Sequence, residues 1–371
     1  MTTPTPEPGP RYEGPRDPNL PNSPLWDVNA SGTGPGAGGS AADRRAPDRR
    51  ATDRRSADRR AGAAGSAEST LSRMLGGLSS PQASVMPIEP ALFPLTSAQT
   101  ALLVREALLE DEAFNDVTTI ATVLSGRHAR GHIVARSGGV IAGLPLAIEA
   151  FRQIDPRIDA RLDVLDGASL TSGMPVLFLT GHARGILSAE RVALNFLQRL
   201  SGIATLTAKF VAAVAGTGAR ILDTRKTTPG WRRLEKYAVR AGGGYNHRMD
   251  LATAVLIKDN HLAAVDGDVA FAVRRARDLA PDGARVEVEC DTRAQVETAL
   301  AAGADIVLLD NMSLDLMREC ATLCKGRALT EASGGVRLDT VRGIAETGVD
   351  LISVGALTHS APALDLALDF E

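Results

Sequence analysis

Six short apolar runs, each closing on a polar residue or a glycine and separated by stretches of helical pattern, govern what residues 221–355 can fold into. The runs are Ile221-Leu222-Asp223, Val255-Leu256-Ile257-Lys258, Val286-Glu287-Val288-Glu289, Ile306-Val307-Leu308-Leu309-Asp310, Ala328-Leu329-Thr330-Glu331 and Leu351-Ile352-Ser353-Val354-Gly355. Spacers such as Asp268–Leu279 and Arg293–Ala302 carry helical periodicity. Alternation of strand and helix needs crossover connections, and therefore a parallel sheet covered by helices. Polar residues at the C-terminal ends of so many strands point to a barrel with its site at that rim. A doubly wound open sheet is the structural alternative, but it gathers its chemistry at one switch point rather than over six strand ends. Aromatics make up only 4% of the chain, so Ala, Val, Leu and Ile must build the core, as buried parallel strands require.

The richest chemistry lies between Asp223 and His261. It comprises Asp223-Thr224-Arg225-Lys226-Thr227-Thr228-Pro229-Gly230, then Gly242-Gly243-Gly244-Tyr245-Asn246-His247-Arg248, then Ile257-Lys258-Asp259-Asn260-His261. Arg225, Lys226, Arg248 and Lys258 are cations among glycines and small polar residues, with His247 a fifth candidate. Gathered cations repel, so a fold that collects them has a polyanionic partner. Arg offers a fork for carboxylates and Lys a point charge for phosphate. The set reads as a site for a small molecule carrying several carboxylates or phosphates. Arg232 and Arg233 read as ordinary surface residues.

Glu289 and Asp310 are strand-end acids. Such a pair can bind ribose hydroxyls, hold Mg²⁺ through oxygen, stabilise positive charge on a sugar, or simply cap helices and pair with the nearby cations. Ser333-Gly334-Gly335 and Gly355-Ala356 follow the last two strands and are expected to precede helices. Backbone N–H groups there would form an anion site suited to phosphate.

Residues 97–112 read as an amphipathic helix capped by Ser97. Runs at 132–135, 139–143 and 175–179 read as strands of a smaller α/β domain. Residues 189–214 read as a long helix from Ser188, with a weak point at Gly202. Residues 1–85 are rich in Pro, Gly, Ala, Ser and Arg and repeat AADRR, APDRR, ATDRR, SADRR over 41–60. They read as a solvated, disordered extension, and Met74 and Met86 are alternative starts. The expected organisation is the extension 1–85, a small domain 86–204, a barrel 205–360, and a segment 361–371 packing back on the small domain.

A net charge of −3 gives no sign of nucleic-acid or membrane affinity. No apolar run approaches the roughly 18 residues of a membrane span, and no signal-peptide pattern opens the chain. Cys290, Cys320 and Cys324 make an odd count, which argues for a reducing cytoplasm and against a disulfide framework. Cys320 and Cys324 read as buried hydrophobes. His128, His132, His182 and His359 have no partner motif, and no GxGxxG or P-loop indicates a nicotinamide cofactor or ATP.

From about residue 95 to Glu371 the chain resembles the quinolinate phosphoribosyltransferase family, the carboxylating nicotinate-nucleotide pyrophosphorylases. The likeness rests on Asp116-Val117-Thr118-Thr119, Glu190-Arg191-Val192-Ala193-Leu194-Asn195, Leu197-Gln198-Arg199-Leu200-Ser201-Gly202-Ile203-Ala204-Thr205, DTRKTTPG, GGGYNHR, LIKDNH, VEVE, LLDNM, EASGG and GVDLISVGALTHS. The resemblance implies a small N-terminal α/β sandwich domain followed by an incomplete α/β (TIM-like) barrel. It implies a pentosyltransferase of NAD synthesis that joins quinolinate to phosphoribosyl pyrophosphate with Mg²⁺. Arg225, His247, Arg248 and Lys258 would line the quinolinate pocket, with Arg191 reaching in from a neighbouring subunit of a homodimer or larger assembly. Lys226 would meet phosphate or pyrophosphate. Glu289 and Asp310 would hold the ribose hydroxyls and the metal, and Ser333, Gly334, Gly335 and Gly355 the 5′-phosphate. Lys226, Glu289 and Asp310 are thereby the expected catalytic residues. Two other readings share the fold: a relative acting on another acidic base, and a non-catalytic phosphate-binding barrel.

Overall fold

The computed structural model describes residues 92–281 and 283–371; the expected extension 1–85 lies outside the described residues. The first helix among the described residues, Ser97–Glu110, is capped by Thr96 rather than Ser97. Thr96 Oγ1 accepts from Gln99 N (3.3 Å) while Thr96 N donates to Gln99 Oε1 (3.1 Å). This reciprocal pair satisfies two otherwise unpaired groups at once, which a cap at Ser97 would not.

The small domain contains β1 (His128–Ala135), β2 (Gly139–Val140), β3 (Asp159–Leu162), β4 (Ser169–Leu170) and β5 (Pro175–His182). Only the first two residues of the run 139–143 form a strand, while β1 and β5 extend beyond the runs expected for them. The last strand of the chain, β12 (Leu366–Phe370), returns to pair antiparallel with β1 and gives the sheet order β12-β1-β5-β3. Helices Leu144–Ile154 and Ala183–Ala213 pack together over this domain, so it is a layer of helix on a layer of sheet.

The long helix begins at Ala183, directly after β5, and Ser188 lies inside it, donating to Asp116 Oδ2 at 3.0 Å. It runs unbroken through 204/205. Gly202 is there for proximity: a Cβ at this position would sit 2.1 Å from the carbonyl oxygen of Pro362.

The second layer system is a parallel sheet of β6 (Arg220–Leu222), β7 (Val255–Ile257), β8 (Val286–Cys290), β9 (Ile306–Asp310), β10 (Leu329–Ser333) and β11 (Leu351–Ser353), in the order β6-β11-β10-β9-β8-β7. Tyr245 forms a parallel bridge to Leu222 on the free side of β6, and among the described residues no strand joins it to β7. The curl of strands is therefore a barrel left open on one side. Residues of one parity, such as Val286, Val288, Val307, Leu309 and Ile352, belong to the main apolar core. Residues of the other parity pair laterally as Glu289–Leu308–Glu331–Leu351 and so share the lumen face.

Candidate active site

The site is anchored from outside the barrel. Asp223, just past β6, shares its parity with Ile221 and meets Lys236 on the helix Arg232–Ala241. Asp223 is 0% exposed and Lys236 1%, and burial pushes the carboxyl up and the ammonium down from their ordinary ranges. The Asp223 carboxylate also accepts from His247 N (2.9 Å) and Asn246 Nδ2 (2.5 Å), while Lys236 Nζ donates to His247 O (3.0 Å). The buried pair thus fixes the backbone of the Tyr245–Arg248 segment. Gly242 and Gly244 let this segment lie against the long helix, since a Cβ at Gly242 would be 2.3 Å from Ala204 O.

Arg225 and Arg248 are brought together at the rim. The Arg225 Nε atom is buried and has no hydrogen-bond partner. Burial, and then the charge of Arg225, hold the Arg248 guanidinium below its ordinary value. Arg248 Nη1 donates to Ala254 O at 2.9 Å. Lys258, at the end of β7, pairs with Glu289 at the end of β8, 2.6 Å from Nζ to Oε2. Lys226 is exposed, and its stem lies over the last turn: a Cβ on Gly355 would be 3.2 Å from Lys226 Cδ and 3.1 Å from His359 Nε2. Arg232 is not a surface residue but ties two rim loops together, with Nε donating to Thr227 Oγ1 (3.0 Å) and Nη1 to Met249 O (3.3 Å).

Beneath these cations the lumen joins His247 to two acids, Glu287 and Glu331, that the sequence does not mark as site residues. His247 Nε2 lies 3.1 Å from Glu287 Oε2 and 3.5 Å from Glu331 Oε2. Both acids are buried, and Glu287 Oε1 and both Glu331 oxygens lack hydrogen-bond partners. Burial and the neighbouring Glu287 push the Glu331 carboxyl up to about 7. Burial opposes protonation of His247, but the two acids outweigh it and raise the imidazole to about 9. Arg248 N–H points at His247 Nδ1 (2.7 Å), which puts the ring proton on Nε2, facing the acids. Full protonation requires that N–H to turn away. Although these three residues lie close enough to hold a metal, Nε2 is here a donor and not a free ligand. The signal in the sequence was the Val-Glu-Val-Glu alternation, which sets Glu287 on the same face as Glu289, and an acid inside the otherwise buried strand β10.

At the other side of the rim Asp310 accepts from Asn311 Nδ2 (2.5 Å), and Asn311 N donates to Ser333 O (3.1 Å). Gly334 (φ 91°) and Gly335 (φ 57°) are left-handed. A Cβ on Gly334 would strike Asn311 Oδ1 at 2.2 Å. No helix follows this turn at once, contrary to expectation; the next begins at Val341, whereas Gly355 leads straight into Ala356–His359. Arg191 is exposed on the long helix, and no contact within this chain brings it to the rim among the described residues. Cys290, Cys320 and Cys324 are free and buried, and burial pushes Cys324 up to about 11. His182 Nδ1 lies 3.0 Å from Asp155 in the small domain.

Glu289, Asp310, Ser333 and the glycine turns thus stand at or just past the strand ends, with Glu289 paired to Lys258. The chain matches the quinolinate phosphoribosyl transferase N-terminal domain over residues 116–201 and the C-terminal domain of the same name over 203–369. It is 46% identical over 274 residues to nicotinate-nucleotide pyrophosphorylase [carboxylating] of Mycobacterium leprae, covering 72% of this chain and 95% of the relative. With the probable enzyme of the same name from Bacillus subtilis the identity is 43% over 271 residues, covering 73% and 93%. The solved nicotinate-nucleotide pyrophosphorylase from Francisella tularensis superposes with a TM-score of 0.71 at 38% identity, covering 75% of this chain and 99% of that one. The two matched domains and the shared barrel make this chain a member of the quinolinate phosphoribosyltransferase family.

Proposed function

We propose that the protein transfers phosphoribosyl from phosphoribosyl pyrophosphate to quinolinate, releasing pyrophosphate and CO₂ and leaving nicotinate mononucleotide. The observation that carries this reading is the Arg225–Arg248 pair, two neighbouring guanidiniums with a buried Nε still unpartnered. Such a pair is costly unless a multiply charged anion neutralises it. Quinolinate, a planar dianion, fits that requirement. Arg225, Arg248 and Lys258 would hold its carboxylates, and His247 would form the floor with both ring nitrogens turned to protein. We assign Arg191 to the pocket of a second subunit, since its exposed position leaves it free to reach one. A cytoplasmic homodimer is therefore part of the proposal; the buried free cysteines agree with a reducing compartment, and no described helix is long and apolar enough to cross a membrane.

Lys226, the Ser333–Gly335 turn and the Gly355 turn would take the phosphates of the sugar substrate. Glu289 and Asp310 would face the ribose. Their hard oxygen donors also suit Mg²⁺ arriving with the pyrophosphate, and bound there the ion would neutralise charge on the leaving group. As the bond from the anomeric carbon to pyrophosphate breaks, its electron pair leaves with the pyrophosphate and positive charge spreads over the ring. Glu289 and Asp310 stabilise that charge electrostatically. The pyridine nitrogen then donates its pair to the anomeric carbon. Its new positive charge stabilises the electron pair left on the adjacent ring carbon as the carbon–carboxylate bond breaks and CO₂ departs, and that carbanion takes a proton from solvent.

The test incubates the purified protein with quinolinate, phosphoribosyl pyrophosphate and Mg²⁺ and follows nicotinate mononucleotide and CO₂. Quinolinate-dependent product is expected, with little from nicotinate and none after chelation by EDTA. Absence of product from quinolinate would overturn the reading; equal use of nicotinate would overturn the dicarboxylate pocket.

A further inference from the structure

Arg199 lies in the Leu197–Thr205 motif of the long helix. Its guanidinium leaves the long helix and enters the space between two rim segments. Nη2 donates to Glu235 Oε1 (2.7 Å) and to the carbonyl oxygen of Thr358, and Nη1 donates to Ala361 O (3.3 Å). Glu235 is fully buried, and both its oxygens are taken. Oε1 also accepts from Thr228 Oγ1 (2.8 Å), and Oε2 accepts from Thr228 N (3.0 Å). Thr358, fully buried too, donates from Oγ1 to the Lys226 carbonyl oxygen at 2.6 Å. The bonds form a closed ring: Arg199, Glu235, Thr228, back along the chain to Lys226, then Thr358 and Arg199 again.

We propose that Arg199 is a positioning residue for the phosphate half of the site, acting through Glu235 and Thr358 to hold Lys226 against the Gly355 turn. The inference rests on the reading that Lys226 and Gly355 receive substrate phosphate. The segment Thr224–Gly230 has no regular secondary structure, and Lys226 and Thr228–Gly230 are exposed. A lysine on such a loop would lose conformational freedom each time substrate bound. Pinning the backbone on both sides of Thr227 removes that loss in advance. Nη2 alone closes both bonds of the ring while Nη1 reaches Ala361 O, so the guanidinium holds three acceptors from fixed positions where a lysine ammonium would be a single point.

The experiment uses the full chain with Thr358→Val, which keeps the side-chain shape but removes the bond to Lys226, Thr358→Ser, which restores the hydroxyl, and Arg199→Lys. Steady-state kinetics are measured for each substrate, with equilibrium binding of quinolinate alone and melting curves to confirm folding. Thr358→Val is expected to raise KM for phosphoribosyl pyrophosphate about fivefold, the worth of one ordinary hydrogen bond. Quinolinate binding should stay within about twofold, and the serine variant should recover the KM. Arg199→Lys should move the same constant in the same direction. An unchanged KM for phosphoribosyl pyrophosphate in Thr358→Val, an equal rise for both substrates, or no recovery by serine would overturn the inference. If the unaltered enzyme made no product from quinolinate, the underlying reaction would fail, and the inference with it.

Discussion

Lys236→Met would leave the carboxylate of Asp223 inside the protein with no compensating charge. Asp223 is 0% exposed and Lys236 1%, so water cannot replace the lost partner. The remaining donors, His247 N and Asn246 Nδ2, are neutral. Breaking a buried pair by removing one member costs about 3–5 kcal/mol. For a chain of this size each kcal/mol moves the melting temperature by about 2–4 °C, so a fall of about 6–20 °C is expected. The variant also loses the Lys236 bond to His247 O, so quinolinate binding should weaken even at temperatures where the protein stays folded. Calorimetric melting together with quinolinate titration reads both effects. The double change Asp223→Asn with Lys236→Met should recover much of the lost stability, because no charge remains to be compensated. A single variant that melts within 2 °C of the parent would refute the claim that this pair anchors the Tyr245–Arg248 segment, as would a double variant less stable than the single.

Arg225→Ala should cut kcat/KM at least 100-fold (about 2.7 kcal/mol) while leaving the fold intact, since its buried Nε has no bond to lose; kinetics with circular dichroism check this. Mixing Arg191→Ala with Arg225→Ala protein under conditions of subunit exchange should restore part of the activity, and no rescue would count against a shared pocket. Glu331→Gln should raise the melting temperature while lowering turnover, because it removes a buried charge with unpartnered oxygens beside Glu287; a lowered melting temperature would contradict this. Arg157, together with His182, holds the Asp155 carboxyl well below the usual range. Stability from this group is therefore present above its unfolded value of about 4 and lost as pH falls below it. Acid melts of Asp155→Asn should be flatter in that window than those of the parent.

The six barrel strands were legible because strands buried on both faces carry nearly unbroken apolar runs. The rim cations were legible because charge amid glycine has few packing explanations. Glu287 and Glu331 were not, since a lone acid within a strand looks like a strand end unless parity places it in a lumen. The start of the long helix at Ala183 escaped because β5 passes into it without any turn residue. Gly202 looks like a weak point for a different reason: what it makes room for, Pro362, lies 160 residues further on. Local pattern carries no information about a backbone that arrives from that distance. The same holds for Asp223, whose role depends on Lys236 and on a loop more than twenty residues away.

The pairing of β12 with β1 sets an order of events during synthesis. Arg136 and Asp369, which join across this edge, are 233 residues apart in the chain. The small domain leaves the ribosome first, yet its sheet keeps an open flank until the barrel has been translated. Through that interval the bare edge of β1 is a place where another nascent chain can add a strand. Completion of the small domain therefore waits on residues 366–370, and a change that disturbs them harms a sheet translated long before them.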